Sequence, residues 1–436
     1  MQANLETIGN IERRLNISLP AGDVDSEVST RLKKLAQTVK MHGFRPGKVP
    51  LKVVAQQYGS QVRQEVLADK LQKTFGDAVR DNNLRVAGYP KFETLPSGEG
   101  DNQFEYSATF EVYPEIKLGE LADATIERPA LAVTDAEVEQ TIEVLRKQRA
   151  NYQPVERAAQ KDDLVTIDFH GEVDGQPFQG GEGKDVRIVL GAGRMLPEFE
   201  NAVLGVAPNE TRSFDLTYPA DYHGKEVAGK TAHFTVLLKS IEEPRLPPLD
   251  AEFAKSLGIA DGDLDKMRAE VRVNVEREVE ARIRARLKDQ VFQGLLDRST
   301  LDVPQSLVEM EMRNLAQAAQ RDLESRGIKT KDMPLPVDIL RSQAERRVRL
   351  GLILGEVVRA QSLQAKPEQV LAAVEHHAKS FEQPQEVVKW YYSSPERLQE
   401  FESAAIEQNV VDWALSVARV EDKPTALEQL MGKANA

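Results

Sequence analysis

Residues 11–19, IERRLNISL, alternate apolar and polar side chains, which predicts a strand with Leu15, Ile17 and Leu19 on one face. The period then changes. Val24, Val28, Leu32, Leu35 and Val39 recur at spacings of three and four, so a helix with one apolar stripe is expected, capped by Asp23. Pro50 suits the first turn of a second helix, whose apolar positions Leu51, Val54, Tyr58, Val62, Val66, Phe75 and Val79 run toward Asn82. Alternation returns in FEYSATFEVY, with Phe104, Tyr106, Ala108, Phe110 and Val112 on one side, closing an α+β unit near residue 115. From Leu118 to Gln153 an extended piece precedes a helical one, TDAEVEQTIEVLRKQRANY, that starts at a Thr134 cap.

Between 151 and 244 lie ten of the chain's 27 glycines, scattered among the short alternating runs LVTIDF, VRIVL, SFDLTY and AHFTVLL. That pattern reads as a small β-rich domain whose last strand stops at Pro244. EEPRLPPLD then marks a boundary, because clustered prolines cannot continue a helix or a central strand. Beyond it the period is helical. Met267, Val271, Val275, Val279, Ile283, Leu287, Val291 and Leu295 step by four, which drifts around the axis of a 3.6-residue helix, so this helix is expected to meet different neighbours along its length. Prolines at 304, 334, 336, 367, 384 and 395 divide the remainder into short helices.

A chain of 436 residues is long for one core and implies several folding units. With 70 acidic against 57 basic residues, the net charge of -13 argues against general affinity for polyanions, so any nucleic-acid contact must be local. The absence of cysteine excludes disulfides, thiol nucleophiles and cysteine metal sites. No window approaches the roughly 20 apolar residues of a membrane span, and the N-terminus lacks the apolar run of a signal peptide; the cytosol is the expected location.

Against that acidic background, RLKKLAQTVKMHGFRPGKVPLK, residues 31–52, holds seven Lys or Arg and no Asp or Glu. Such a surface suits phosphate, since each neutralised phosphate releases counterions. Phe44 stands within it, between Gly43 and Gly47 and beside Pro46, at the end of a helical hairpin. Composition leaves two readings open: a ring that inserts into a partner or stacks on a base, or one that folds back on its own helices beneath a solvated basic face. GFRPGKVP, residues 43–50, resembles the ribosome-docking signature of the bacterial trigger factor family. The resemblance implies that Gly43, Phe44, Arg45, Pro46, Gly47 and Lys48 contact ribosomal protein and RNA beside the nascent-chain exit, chiefly through Phe44, Arg45 and Lys48.

The β-rich segment resembles FKBP-type peptidyl-prolyl isomerases through TIDFHGEVDGQPFQGG, GAGRMLPEFENAVLGV, YPADYHG and GKTAHFTVLL. The resemblance implies an apolar prolyl pocket formed by Phe169, Phe178, Met195, Leu196, Phe199, Tyr222 and Phe234. These aromatics also suit a plain core. Two departures from the family pattern, Gln179 where an acid is frequent and Val186 where an aromatic is common, suggest weaker activity than in dedicated isomerases.

Other motifs carry less. GKEVAGKT, residues 224–231, satisfies the phosphate-loop pattern, yet AHFTVLLKSIEEP after it alternates like a strand where a helix is required. GAGRML lacks the third glycine of the dinucleotide fingerprint, with Leu196 in its place. Adjacent His376 and His377 point about 100° apart on a helix and make a poor chelate; His170, His223 and His233 read as structural, and the pairs Asp162 with Asp163 and Glu242 with Glu243 read as solvated charges and not as acid-base catalysts. No cofactor and no metal is expected. In the helical region Met310, Met312 and Met333 are candidates for adaptable contacts or for core.

The fold class expected is α+β multidomain: an α+β ribosome-docking domain (1–115), a connector packing on the last domain (116–150), an FKBP-like antiparallel β domain with a short helix (151–244), and an elongated all-α chaperone domain (245–436). The resemblance implies a ribosome-associated chaperone that isomerises X-Pro bonds, with the ribosome and unfolded or nascent polypeptides as partners, no membrane, no DNA, and room for a weak homodimer. A stand-alone isomerase with a helical dimerisation region is the alternative, and an RNA-binding protein using the basic hairpin is a third.

Overall fold

The computed structural model describes residues 2–42, 44, 47–94, 103–220, 222, 224, 226–327 and 337–432. The chain divides into two compact units, Met1–Arg128 with Ala285–Asp422, and Pro129–Arg284 with Lys423–Ala436.

The chain opens with strands β1 (Gln2–Thr7) and β2 (Glu12–Pro20), helices α1 (Ala21–Thr38) and α2 (Leu51–Asp81), and strands β3 (Val86–Thr94) and β4 (Gln103–Val112). The strands form an antiparallel sheet in the order β1-β2-β4-β3. Leu15, Ile17 and Leu19 of β2 and Tyr106, Ala108 and Phe110 of β4 bury one face against Phe75 and Ala78 of α2. A second core, built on Val24, Leu32, Val54, Val62 and Val66, joins α1 to α2. The hairpin therefore has its own apolar seam, and the loop at its tip need not fold back to stabilise it. Two sequence expectations shift here. Pro20 takes the N-cap position of α1, leaving Asp23 in the first turn without a side-chain cap bond, and Pro50 precedes α2 instead of entering it. Asp23 still opposes the positive end of the helix dipole.

Strand β5 (Thr125–Ala130) is followed by α3 (Asp135–Gln148), which begins at the expected cap: Glu137 accepts the Thr134 N–H at 2.8 Å, and Thr134 Oγ1 accepts the Ala136 N–H at 3.3 Å. Then come β6 (Asn151–Val155), β7 (Leu164–Val173), β8 (Gln176–Val189), α4 (Pro197–Val203), β9 (Thr211–Thr217) and β10 (Thr231–Arg245). β10 is the hub. It pairs with β7 along one edge and with β9 and β6 in succession along the other, while β8 flanks β7. The strand runs one residue past Pro244, which pairs with Tyr152 of β6. Proline is tolerated there because β7 has already ended its pairing at Glu242, so the missing N–H falls at an edge.

Asp163, expected from sequence to be a solvated charge, is instead buried and fastens this domain. Asp163 is 1% exposed and receives both guanidinium ends of Arg157, at 2.5 and 2.8 Å, plus the Gln160 N–H at 2.8 Å. Removing the cation strands a carboxylate away from water. Arg157→Ala is expected to destabilise the domain by about 2–3 kcal/mol, below the full range for a broken buried pair because Arg157 itself reaches solvent. Thermal unfolding of the full chain checks this, and a loss under about 0.5 kcal/mol, the size of an ordinary surface change, contradicts it.

Helix α5 (Ala251–Ser256) leads into the 35-residue α6 (Leu264–Arg298). Met267, Val271, Val275 and Val279 of α6 pack with Val138 and Ile142 of α3, whereas Leu287, Val291 and Leu295 are buried in the other unit. The change of neighbours expected from the four-residue step is met. α7 (Gln305–Ser325), a 3-10 turn at Val337–Leu340, α8 (Arg341–Gln361), α9 (Pro367–Ala378), α10 (Pro384–Tyr392) and α11 (Pro395–Val417) follow, then β11 (Arg419–Pro424), which pairs with β5, and α12 (Leu427–Leu430). Pro304 takes the N-cap position of α7, and Pro367, Pro384 and Pro395 begin α9, α10 and α11. Prolines 334 and 336 lie outside the described residues.

Candidate active site

β7, β8, α4 and β10 bring aromatic rings together on one side of the five-stranded sheet. Phe199, on α4, is 2% exposed and lies edge-on to Phe169 at 5.7 Å and to Phe234 at 5.5 Å between ring centres. Phe234 is 3% exposed and also meets Phe169 at 6.2 Å and Phe178 at 6.1 Å. These two buried rings make a floor. Phe169, Phe178, Met195, Leu196 and Tyr222 pack against the buried core cluster to which these rings belong while staying only partly buried, so they reach solvent at its rim. All seven residues expected of a prolyl pocket thus belong to this core cluster or pack against it.

Glycines make the close packing feasible. A Cβ at Gly171 would stand 2.4 Å from the Phe234 ring, and one at Gly183 would stand 2.5 Å from the Phe169 ring. The rings lie directly on neighbouring strand backbone, a contact any side chain would block. Two further rings belong to the cluster. Tyr218 meets Tyr222 at 4.7 Å and Phe178 at 6.1 Å, and Phe214 meets Phe199 at 5.4 Å. Sequence reasoning passed over both, although Tyr218 and Tyr222 stand four apart in the YPADYHG stretch. Burial, then neighbouring Tyr222, pushes the Tyr218 phenol above its usual range, which keeps it neutral. Gln179 is exposed and Val186 packs on the cluster edge, so neither supplies the acid or the ring that the family pattern favours.

The histidines stay peripheral. His233 pairs with Asp215 at 2.7 Å and His170 with Glu172 at 3.1 Å on exposed strand faces; His223 lies outside the described residues. In the helical part His377 packs among Phe381, Tyr391 and Phe401. The phosphate-loop match ends where β10 begins, so a strand stands where a helix N-terminus would be needed.

At the hairpin tip Phe44 is 39% exposed, its N–H donating to Met41 O at 3.2 Å, and Lys48 is exposed. Gly47 has φ 78°, a left-handed conformation that favours glycine. Gly43, Arg45 and Pro46 lie outside the described residues. The basic face is narrower than composition suggested: Arg31 turns to Asp69 at 2.7 Å and to Glu27 at 3.3 Å. Lys33, Lys34, Lys40, Lys48 and Lys52 are exposed and make no ion pair among the described residues.

In the helical region Met312 is 5% exposed and packs with Val308 and Leu315, so it belongs to core; Met310 is exposed, and Met333 lies outside the described residues. Phe381, Trp390 and Tyr392 present rings to solvent. Separately, a cavity of about 410 Å³ opens between α3, α6 and α12, lined by Val144, Leu145, Val271, Val275, Leu427 and Met431 among others.

Residues 155–239 match the family described as FKBP-type peptidyl-prolyl cis-trans isomerase. The antiparallel sheet and its aromatic cluster therefore belong to a prolyl isomerase fold within a longer chain. Residues 1–145 match the bacterial trigger factor protein (TF), and residues 263–416 match that protein's C-terminus. The trigger factor of Nitrosospira multiformis is 55% identical over 434 residues, covering 99% of this chain and 100% of its own length; that of Thiobacillus denitrificans is 51% identical with both chains covered in full. A solved structure of the trigger factor chaperone covers 95% of this chain and 99% of its own, with TM-score 0.50 at 17% identity, a likeness of fold. The chain belongs to the trigger factor family. As a member it is a ribosome-associated chaperone that carries a peptidyl-prolyl cis-trans isomerase domain and binds nascent chains.

Proposed function

We propose that Phe169, Phe178, Met195, Leu196, Phe199, Tyr222 and Phe234 form the pocket in which X-Pro bonds isomerise, and that residues 43–48 form the contact with the ribosome. The observation that carries the first part is the union of a closed aromatic floor with a half-exposed rim at one place on the FKBP-type segment. Rotation about a peptide bond faces a barrier of roughly 18–20 kcal/mol, sustained by amide resonance. An X-Pro amide moved from water onto Phe199 and Phe234 loses the solvation that favours its polar resonance form, and rotation becomes easier. No nucleophile is needed. The Leu196 N–H, which makes no hydrogen bond among the described residues, is available at the rim to a carbonyl of the twisted peptide.

The division of labour proposed is docking by 1–115, connection by 116–150, isomerisation by 151–244 and client holding by 245–436, the last through exposed rings such as Trp390 and Tyr392. The cytoplasm is the proposed location, without membrane or DNA partners; among the described residues no helix is long and apolar enough to cross a membrane. Homodimerisation off the ribosome would be weak. The test of the combined reading is a client that lacks proline. The full chain should suppress its aggregation, which isomerase activity alone cannot do; failure to suppress it would leave a stand-alone isomerase.

A further inference from the structure

The pocket reading uses aromatic and aliphatic side chains and gives no part to a buried acid on the same helix as Phe199. Glu200 follows Phe199 on α4 and is 7% exposed. Its Oε2 accepts the Gly191 N–H at 2.8 Å, and its Oε1 accepts the Met195 N–H at 3.3 Å. Those donors stand at the two ends of the turn that delivers Met195 and Leu196 to the rim. Between them Ala192, Gly193 and Arg194 are exposed, and Gly191 and Gly193 sit at φ 85° and 68°, so the turn has little packing of its own.

A carboxylate withdrawn from water loses solvation that only good hydrogen bonds restore. Two charge-assisted bonds from backbone N–H groups do this, and they fix the donors in return. An amide cannot replace it. Glutamine offers one oxygen and one NH₂, so one of the two N–H groups would face another donor.

We propose that Glu200 is a positioning residue for isomerisation: its carboxylate clamps the Gly191–Met195 turn and thereby holds the Met195 and Leu196 side chains at the level of the Phe199 ring. The inference rests on the pocket assigned above. It differs from a generic packing role because the clamp acts on one wall of the pocket, whereas client holding is proposed for residues 245–436.

The experiment is steady-state catalysis of proline-limited refolding by the full-length Glu200→Gln chain, well below its unfolding temperature. Loss of one hydrogen bond to a charged group leads to an expected fall in kcat of roughly tenfold, with KM unchanged. Methyl NMR of the same chain should show Met195 shifted or broadened while Met267, buried in α6, stays in place. If Glu200→Gln does not fold, Glu200→Asp keeps the charge but shortens its reach, and the same kcat loss is expected. A kcat within twofold of wild type with an unmoved Met195 signal overturns the proposal, as does a rise in KM that tracks lost thermal stability. Tyr222→Ala separates the two levels: if that variant keeps full activity, the pocket assignment falls and this inference with it. If Tyr222→Ala loses activity and Glu200→Gln does not, only the clamp is wrong.

Discussion

Tyr222→Ala is expected to lower kcat/KM for an X-Pro tetrapeptide by roughly 10- to 100-fold while leaving the thermal unfolding of the full chain nearly unchanged. A ring of this size contributes about 1.5–3 kcal/mol when an apolar group is buried against it, and each 1.4 kcal/mol is tenfold in rate. Tyr222 stands on the rim, packed against Tyr218 but still reached by water, so its removal opens the pocket without hollowing the core. Phe199→Ala should lose at least as much activity, but for a mixed reason. Its ring touches Phe169, Phe214 and Phe234 at 2% exposure, and deleting such a ring costs about 3–5 kcal/mol of stability. The pair of variants separates pocket from core, and an unchanged rate in Tyr222→Ala removes the pocket assignment.

Alanine at Phe44, Arg45 and Lys48 together is expected to weaken ribosome binding by roughly a hundredfold, since an aromatic anchor and its flanking cations commonly carry 2 kcal/mol or more of a contact. The fold should be unaffected. Phe44 and Lys48 belong to neither of the two cores of the N-terminal segment, whereas Val49, 6% exposed, is sealed into the hairpin seam and marks where the structural part of the loop begins. Co-sedimentation with ribosomes checks this; undiminished binding by the triple variant is incompatible with docking through this loop.

Much of the architecture was legible because period and burial agree. The alternation around Leu15 and Phe110 and the four-residue step along α6 each express one buried face or a drifting one, and both survive in the structure. Where the pattern failed, the element lacked a buried face of its own. β1, QANLET, lies at a sheet edge with mostly polar residues, and β3 is broken by a register shift between Ala87 and Lys91, so neither presents a clean period. Pro244 was misread as a strict stop because sequence does not reveal that one edge of β10 is unpaired there. Met312 illustrates the opposite limit: Met310 and Met312 are two residues apart on one helix, and only packing against Val308 and Leu315 decides which is core.

The pocket was legible in a different way. Spacing alone could not distinguish seven apolar side chains of a pocket from those of a core, since Phe199 and Phe234, two of the seven, are buried among the core residues. What the sequence hides is the second layer: Tyr218 and Phe214 look like ordinary strand residues, and Glu200 looks like one more surface acid among 70 acidic residues until its carboxylate is seen to face two backbone N–H groups.

The docking role is tested most directly by titrating the wild-type chain against purified ribosomes at two salt concentrations. Saturable binding that weakens as salt rises is expected, because the exposed lysines around Phe44 would displace counterions from ribosomal RNA. Absence of saturable binding at low salt, or binding indifferent to salt, would contradict a ribosome contact made through this loop.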